Sequence, residues 1–240
     1  MRKETFVETY SVLALRNAVS TAFEAGAGQP AMVMTYGEPG TGKTKAARAL
    51  YAEHGGIYLR ALESMTQNSF LQAICFEVDG TTPHGSARAK HAILGQLSDE
   101  PRPIFIDEAD RLHVGRLEDL RDIHDITGSP IVLIGEMGLP TKVRARERIN
   151  DRIPAAFRVE FGAITVQDIL VFSKAAADLV LTPEAATLVN TETKGNFRRV
   201  YNAVLSLESA AKAAGSSDIN AEICRAALGL KELGRPRRAA

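Results

Sequence analysis

Residues Gly37-Glu38-Pro39-Gly40-Thr41-Gly42-Lys43-Thr44 spell G-x-x-x-x-G-K-T directly behind the apolar run Ala31-Met32-Val33-Met34. Helix-forming residues follow, Lys45-Ala46-Ala47-Arg48-Ala49-Leu50. A strand, a tight glycine turn and a helix in that order constrain this chain more than any other feature, because together they build a phosphate-binding loop. The glycines let backbone N–H groups approach an anion without side-chain interference. Lys43 is spaced to reach the β- and γ-phosphates, and the Thr44 hydroxyl to ligate Mg²⁺. The helix start aims its positive end at the same anion. The spacing implies that a nucleoside triphosphate binds along residues 37–44.

A second element completes the chemistry. The apolar run Pro103-Ile104-Phe105-Ile106 ends in Asp107-Glu108. A carboxylate at a strand end can simply cap a helix, but beside a phosphate loop this pair takes on roles. Asp107 would hold the Mg²⁺ shell and Glu108 would polarise the attacking water. The continuation Asp107-Glu108-Ala109-Asp110 invites a DEAD-box helicase reading, which needs two core domains where this chain has room for one. A GTPase would carry an Asn-Lys-x-Asp guanine motif, and the sequence lacks it.

Lys plus Arg and Asp plus Glu both number 29 among 240 residues, so the formal net charge is zero and any nucleic-acid contact must come from a local basic patch. Cys75 and Cys224 lie in apolar helical patterns and read as buried free thiols. With no apolar leader and no long apolar run, the expectation is a soluble, cytoplasmic protein.

Strand-like and helical patterns alternate to Gly162. Helices are expected over Ser11–Ala25, ending at Gly26, then after the phosphate loop, over Thr66–Val78, Arg88–Leu97 and Leu117–Ile126, and as a basic helix through Lys142-Val143-Arg144-Ala145-Arg146. Strands are expected at Gly56–Ala61, at Ile131–Ile134 and, last, at Phe157–Phe161. This is an α/β domain around a parallel sheet, placed at 1–163. From 164 to 230 only helices are read, over Val166–Asp178, Thr182–Thr193, Asn196–Ala214 and about Asp218–Ala227, with Thr182-Pro183-Glu184 as a start signal. Residues 231–240 form a basic tail expected to be loosely ordered.

The site so far lacks a cation for the charge developing on the γ-phosphate. Arg152, in Asn150-Asp151-Arg152-Ile153, and Arg198, in Gly195-Asn196-Phe197-Arg198-Arg199, are placed to supply one. The order of phosphate loop, Asp-Glu strand end, Asp-Arg-Ile before the last strand and a helical segment with Gly-Asn-x-Arg resembles the AAA+ ATPases. It is most similar to their transposition-regulator branch, that of the phage Mu transposition protein B and TnsC-type proteins. The resemblance implies ATP with Mg²⁺, a P-loop three-layer sandwich and a small all-α lid. It also implies that Arg152 acts in trans as a finger, with Arg146 and Arg148 as competitors, and that Arg198 acts in cis as the lid sensor, with Arg199 as competitor. One departure stands out. The strand at 131–134 is followed by Gly135-Glu136-Met137, where the family carries a small polar sensor.

The resemblance further implies a helical filament or ring of the protein's own subunits on duplex DNA, contacted without base reading, and a transposase as partner. Phosphate contacts would come from Arg60, Arg88 and Lys90. Lys142 through Arg148 and the tail arginines are alternatives, as is a switch that acts on a protein partner without touching DNA.

Overall fold

The computed structural model describes residues 5–25 and 29–230, so the expected helix end at Gly26 and the basic tail lie outside the described residues. The described residues divide into two compact units, one spanning Tyr10–Gly162 and the other joining residues 5–9 to the segment from Ala163 onward. Residues 5–9 were read with the α/β domain but group with the helical unit, where Val7 packs against the core.

In the first unit α1 (Tyr10–Glu24) precedes β1 (Met32–Gly37), α2 (Lys43–His54), β2 (Ile57–Arg60), α3 (Gln67–Asp79) and α4 (Ser86–Asp99). Then come β3 (Ile104–Asp107), α5 (Val114–Thr127), β4 (Ile131–Gly135), α6 (Leu139–Arg144), α7 (Glu147–Asn150) and β5 (Arg158–Phe161). The strands form one parallel sheet in the order β2-β3-β4-β1-β5. Every residue of β3 and β4 is buried, which requires cover on both faces and explains their unbroken apolar runs. Because all strands run parallel, the turns that follow β1 and β3 emerge at one end of the sheet, bringing Gly37–Thr44 and Asp107–Glu108 together across a sequence gap.

The basic helix expected through 142–146 is interrupted. Helix α6 stops at Arg144, Arg146 is extended at φ −134°, and α7 restarts at Glu147. Buried Val143 and Ile149 anchor the two short helices separately, so packing overrides helix propensity.

The second unit contains α8 (Val166–Ala177), α9 (Pro183–Thr193), α10 (Phe197–Ala214) and α11 (Ala221–Leu228). Its core gathers Ile169, Phe172, Val189, Val200, Val204 and Leu207. Each helix starts where a side chain caps it: Thr165, Thr182, Asn196 and Asn220 accept from the backbone N–H of the third residue of the helix. Pro183 occupies the first turn of α9, as the start signal implied. The segment is not purely helical. Two-residue strands β6 (Val180–Leu181) and β7 (Asp218–Ile219) pair in parallel, too short to leave a periodic signal in sequence.

Candidate functional site

The loop after β1 is shaped by contacts that only glycine permits. A Cβ on Gly37 would sit 2.5 Å from the carbonyl oxygen of Phe161 on the neighbouring strand, and Gly42 at φ +104° turns the chain into α2. Lys43 folds back over the loop, donating from Nζ to the carbonyls of Gly37 at 2.7 Å and Glu38 at 2.8 Å. The Thr41 hydroxyl donates to the Glu38 carbonyl at 2.9 Å, bracing the turn around Pro39 and Gly40. Burial lowers the Lys43 pKa below the ordinary 10.5, opposed by the carboxylates of Glu136, Asp110, Asp107 and Glu38. A buried ammonium held by neutral oxygens, two carbonyls and the Thr41 hydroxyl at 3.4 Å, is poised for an anion.

Asp107 ends β3 in the sheet interior and is the hub of the site. Its Oδ1 accepts from Thr44 Oγ1 at 3.2 Å and from the backbone N–H of Glu108 at 3.0 Å, while Tyr58 donates its hydroxyl to Oδ2 at 3.0 Å. Burial and the Asp107 charge raise the Tyr58 pKa, so the phenol stays a donor. The Thr44 hydroxyl and Asp107 carboxylate converge as hard oxygen donors of the type Mg²⁺ takes, and the loop is open at Gly42, where a Cβ would meet nothing within 4 Å, so these residues fit a magnesium nucleotide.

Glu108 stands in the left-handed region at φ 57°, ψ 37°, a conformation that costs a side-chain-bearing residue of the order of 1–3 kcal/mol. Its Oε1 accepts from Arg60 Nε at 3.0 Å, and Arg111 Nε lies 2.6 Å from Oε2. The carboxylate is therefore aimed by the backbone yet engaged by two guanidiniums.

The Gly135-Glu136 departure acquires a geometry. Asp110, one 3-10 turn after Glu108, accepts at Oδ1 from the Glu136 backbone N–H at 2.9 Å. A Cβ on Gly135 would fall 2.6 Å from that same oxygen. Lys142 ties α6 to the turn by donating to the carbonyls of Asp110 and Leu112. Here the β4 end engages the acidic turn through its backbone, and the Glu136 residue is exposed.

Arg152 lies at the other end of the sheet. Its carbonyl accepts from the N–H of Met32, the first residue of β1, while Gly37 ends that strand. Five residue steps of β-strand put Arg152 roughly 17 Å from the loop of its own chain. Its guanidinium pairs with Asp125 through Nε at 2.9 Å and Nη2 at 3.0 Å. Both residues line a cleft of about 490 Å³ with His124, Thr127, Gly128 and Asp151. Arg146 and Arg148, the competitors, are exposed around the α6–α7 break and line a separate groove. Arg198 is exposed on the first turn of α10 in the second unit, directly after the Asn196 cap.

Among the DNA candidates, Arg60 is exposed at the end of β2 but paired with Glu108, and Arg88 is exposed on α4. Lys90 is otherwise employed. It pairs with Asp122 at 2.6 Å and with Asp119 at 3.2 Å, and Asp119 is only 4% exposed. The sequence reading did not identify Tyr58, Arg111 or Asp125. Tyr58 and Asp125 sit in no local motif, and Arg111 could be sought only as the cation three residues past Glu108.

Together, the parallel sheet and the loops at its end have the architecture of P-loop AAA+ proteins. The comparisons agree: residues 27–143 match the family model described as an AAA domain. A potential ATP-binding protein of Staphylococcus aureus is 27% identical over 232 residues, covering 80% of this chain and 85% of that protein. The Mu-like prophage FluMu DNA transposition protein B of Haemophilus influenzae is 25% identical over 118 residues, 47% of this chain and 40% of that one. Two solved structures from Aeropyrum pernix share the fold at low identity. The ORC2 protein, in ADPNP and ADP complexes, superposes with TM-score 0.65 at 16% identity over 95% of this chain and 69% of that one. The ORC1 protein in complex with DNA gives 0.62 at 20% identity over 93% of this chain and 65% of that one. Cys75 and Cys224 are free and buried, and among the described residues no helix is long and apolar enough to cross a membrane.

Proposed function

We propose that this protein is an ATPase that assembles with copies of itself on duplex DNA, without reading bases, and directs or activates a transposase at target sites. Mg²⁺, held by Thr44 and Asp107, would supply positive charge against the charge that develops on the triphosphate. The residues supply the rest. Loop amides and Lys43 bind the triphosphate, with Thr44 and Asp107 as the metal ligands. Glu108 takes a proton from the attacking water once its two arginines release it. Arg198 senses the γ-phosphate from the lid, and Arg152 stabilises it on the next subunit.

One observation carries the assembly: Arg152 is fixed at the start of β1, whose far end opens the phosphate loop, so it cannot serve its own nucleotide. An arginine supplied in trans is typically worth about 10³–10⁵ in rate. With Glu108 held by Arg60 and Arg111, an isolated subunit should hydrolyse slowly. The DNA and transposase parts of the reading are supported by the name of the FluMu relative and the DNA complex of the ORC1 neighbour.

A second reading, an ATP-dependent switch for a protein partner, is favoured by the engagement of Arg60 and Lys90 within the chain. Sedimentation and negative-stain imaging with a non-hydrolysable ATP analogue, with and without duplex DNA, separate the two. Ordered assemblies that need both ligands support the first. Monomers indifferent to DNA sink it in favour of the switch.

A further inference from the structure

Arg152 is a half-buried arginine with a mount built around it. Its backbone is gripped on both sides. Arg158, at the start of β5, donates from Nη2 to the carbonyl of Asn150 at 3.0 Å and to the Asn150 side-chain oxygen at 2.9 Å. The same guanidinium donates to the carbonyl of Ile153 from Nε at 2.9 Å and from Nη2 at 2.8 Å. Residues 150 and 153 thus hang from one side chain, and the Arg152 carbonyl between them is tied to Met32 at 3.3 Å.

The side chain is fixed as well. Asp125, in the last turn of α5, takes the Nε/Nη2 edge of Arg152 in a two-point contact. Arg121, one turn earlier, lies 3.9 Å from Asp125 Oδ2 and provides a second cation for the carboxylate. A guanidinium has five N–H donors, and this pairing uses two, leaving the Nη1 side and the outer Nη2 hydrogen for another acceptor. A surface arginine ordinarily loses rotamer freedom when it docks. One already fixed in a planar two-point contact loses less, and planar groups of this kind suit phosphate oxygens.

We propose that Asp125 and Arg158 are positioning residues, which hold Arg152 with its outer N–H edge presented to the nucleotide of a neighbouring copy. The inference rests on the trans role of Arg152 proposed above.

The test mixes two variants of the full chain on duplex DNA with ATP. The donor, Glu108→Gln, keeps Arg152 but cannot activate its own water. The acceptor, Arg152→Ala, keeps Glu108. Their mixture should hydrolyse ATP at least about tenfold faster than either alone, given the usual worth of an arginine finger. Asp125→Asn is then added to one chain at a time. On the donor it should remove most of that gain while sedimentation shows unchanged assembly. On the acceptor it should remove none. Arg158→Gln, with Arg158→Lys as the conservative variant, should follow the same one-sided pattern and be partly rescued by lysine. Equal losses from either chain, or none from the donor, overturn the positioning role. If the donor variants melt or fail to assemble, a purely structural role is indicated and the proposal fails. A co-assembled starting mixture with no gain overturns the trans reading itself.

Discussion

Arg60 Nε donates to Glu108 Oε1 at 3.0 Å, so the carboxylate proposed to activate water is held by the residue that ends the neighbouring strand. Arg60 was singled out in the sequence as a DNA-phosphate candidate, and the two roles compete for one guanidinium. A phosphate that draws Arg60 away would leave Glu108 with Arg111 as its one remaining guanidinium, coupling DNA to hydrolysis. Arg60→Ala is expected to raise the DNA-free ATPase rate several-fold and to flatten stimulation by DNA. Steady-state phosphate release with and without duplex DNA measures both, and an unchanged basal rate would sink the coupling.

The Gly135–Asp110 approach makes a second prediction. Gly135→Ala places a methyl group 2.6 Å from Asp110 Oδ1 and 2.9 Å from Leu139 Cδ2, so Asp110 must leave the Glu136 N–H. Overpacking of this kind costs about 1–3 kcal/mol. The melting temperature should fall and ATP turnover should drop with it. A variant that melts normally and turns over normally would show the contact to be dispensable.

Lys43 predicts a pH dependence of nucleotide binding. Burial lowers its pKa in the free protein, and phosphate oxygens favour the charged form. Binding should therefore take up a proton, and affinity should weaken as pH rises through the lowered pKa, below the ordinary 10.5. For folding the sign is set by the unfolded chain, which binds the proton more tightly. Stability of the nucleotide-free protein should thus rise with pH in the same window. Titration calorimetry in buffers of different ionisation enthalpy counts the protons. Lys43→Met should abolish the uptake, and uptake that persists in that variant would assign it elsewhere.

Arg88 and Lys90, two residues apart on α4, should behave differently. Arg88→Ala removes an exposed cation and should weaken DNA binding uniformly across sequences, lowering the salt slope by about one ion. Lys90→Ala strips a partner from Asp119, which keeps Gln67 and Arg116. It should cost about 1 kcal/mol of stability, with little effect on DNA affinity. Thermal melts beside fluorescence anisotropy at several salt concentrations distinguish the two. Loss of DNA affinity in Lys90→Ala at normal stability would return Lys90 to the interface.

The phosphate loop, the Asp107-Glu108 pair and the parallel α/β layer were legible because each is a local statement. Eight consecutive residues make the loop, four apolar residues and two acids make the strand end, and burial on both faces leaves unbroken apolar runs such as Ile131–Ile134. Helix starts at Thr182 and Asn196 were legible for the same reason, since a cap acts within three residues. The break at Arg146 and the β6–β7 pair were not. One depends on where Val143 and Ile149 find their burial, and the other on two residues meeting two from about 38 positions away.

What the sequence determined by itself is the local make-up of the proposed triphosphate site, because spacing along one turn fixes which backbone amides, ammonium and hydroxyl lie together. What only the tertiary structure decided is which charges already have a partner. Arg60 on Glu108, Lys90 on Asp119 and Asp122, and Arg152 on Asp125 join residues 27 to 48 positions apart. Such pairings fall off steeply with distance in water and become specific only when packed elements hold both partners within a few ångströms. No pattern along the chain encodes that proximity. The sheet that places Arg152 at the opposite end from Lys43 does.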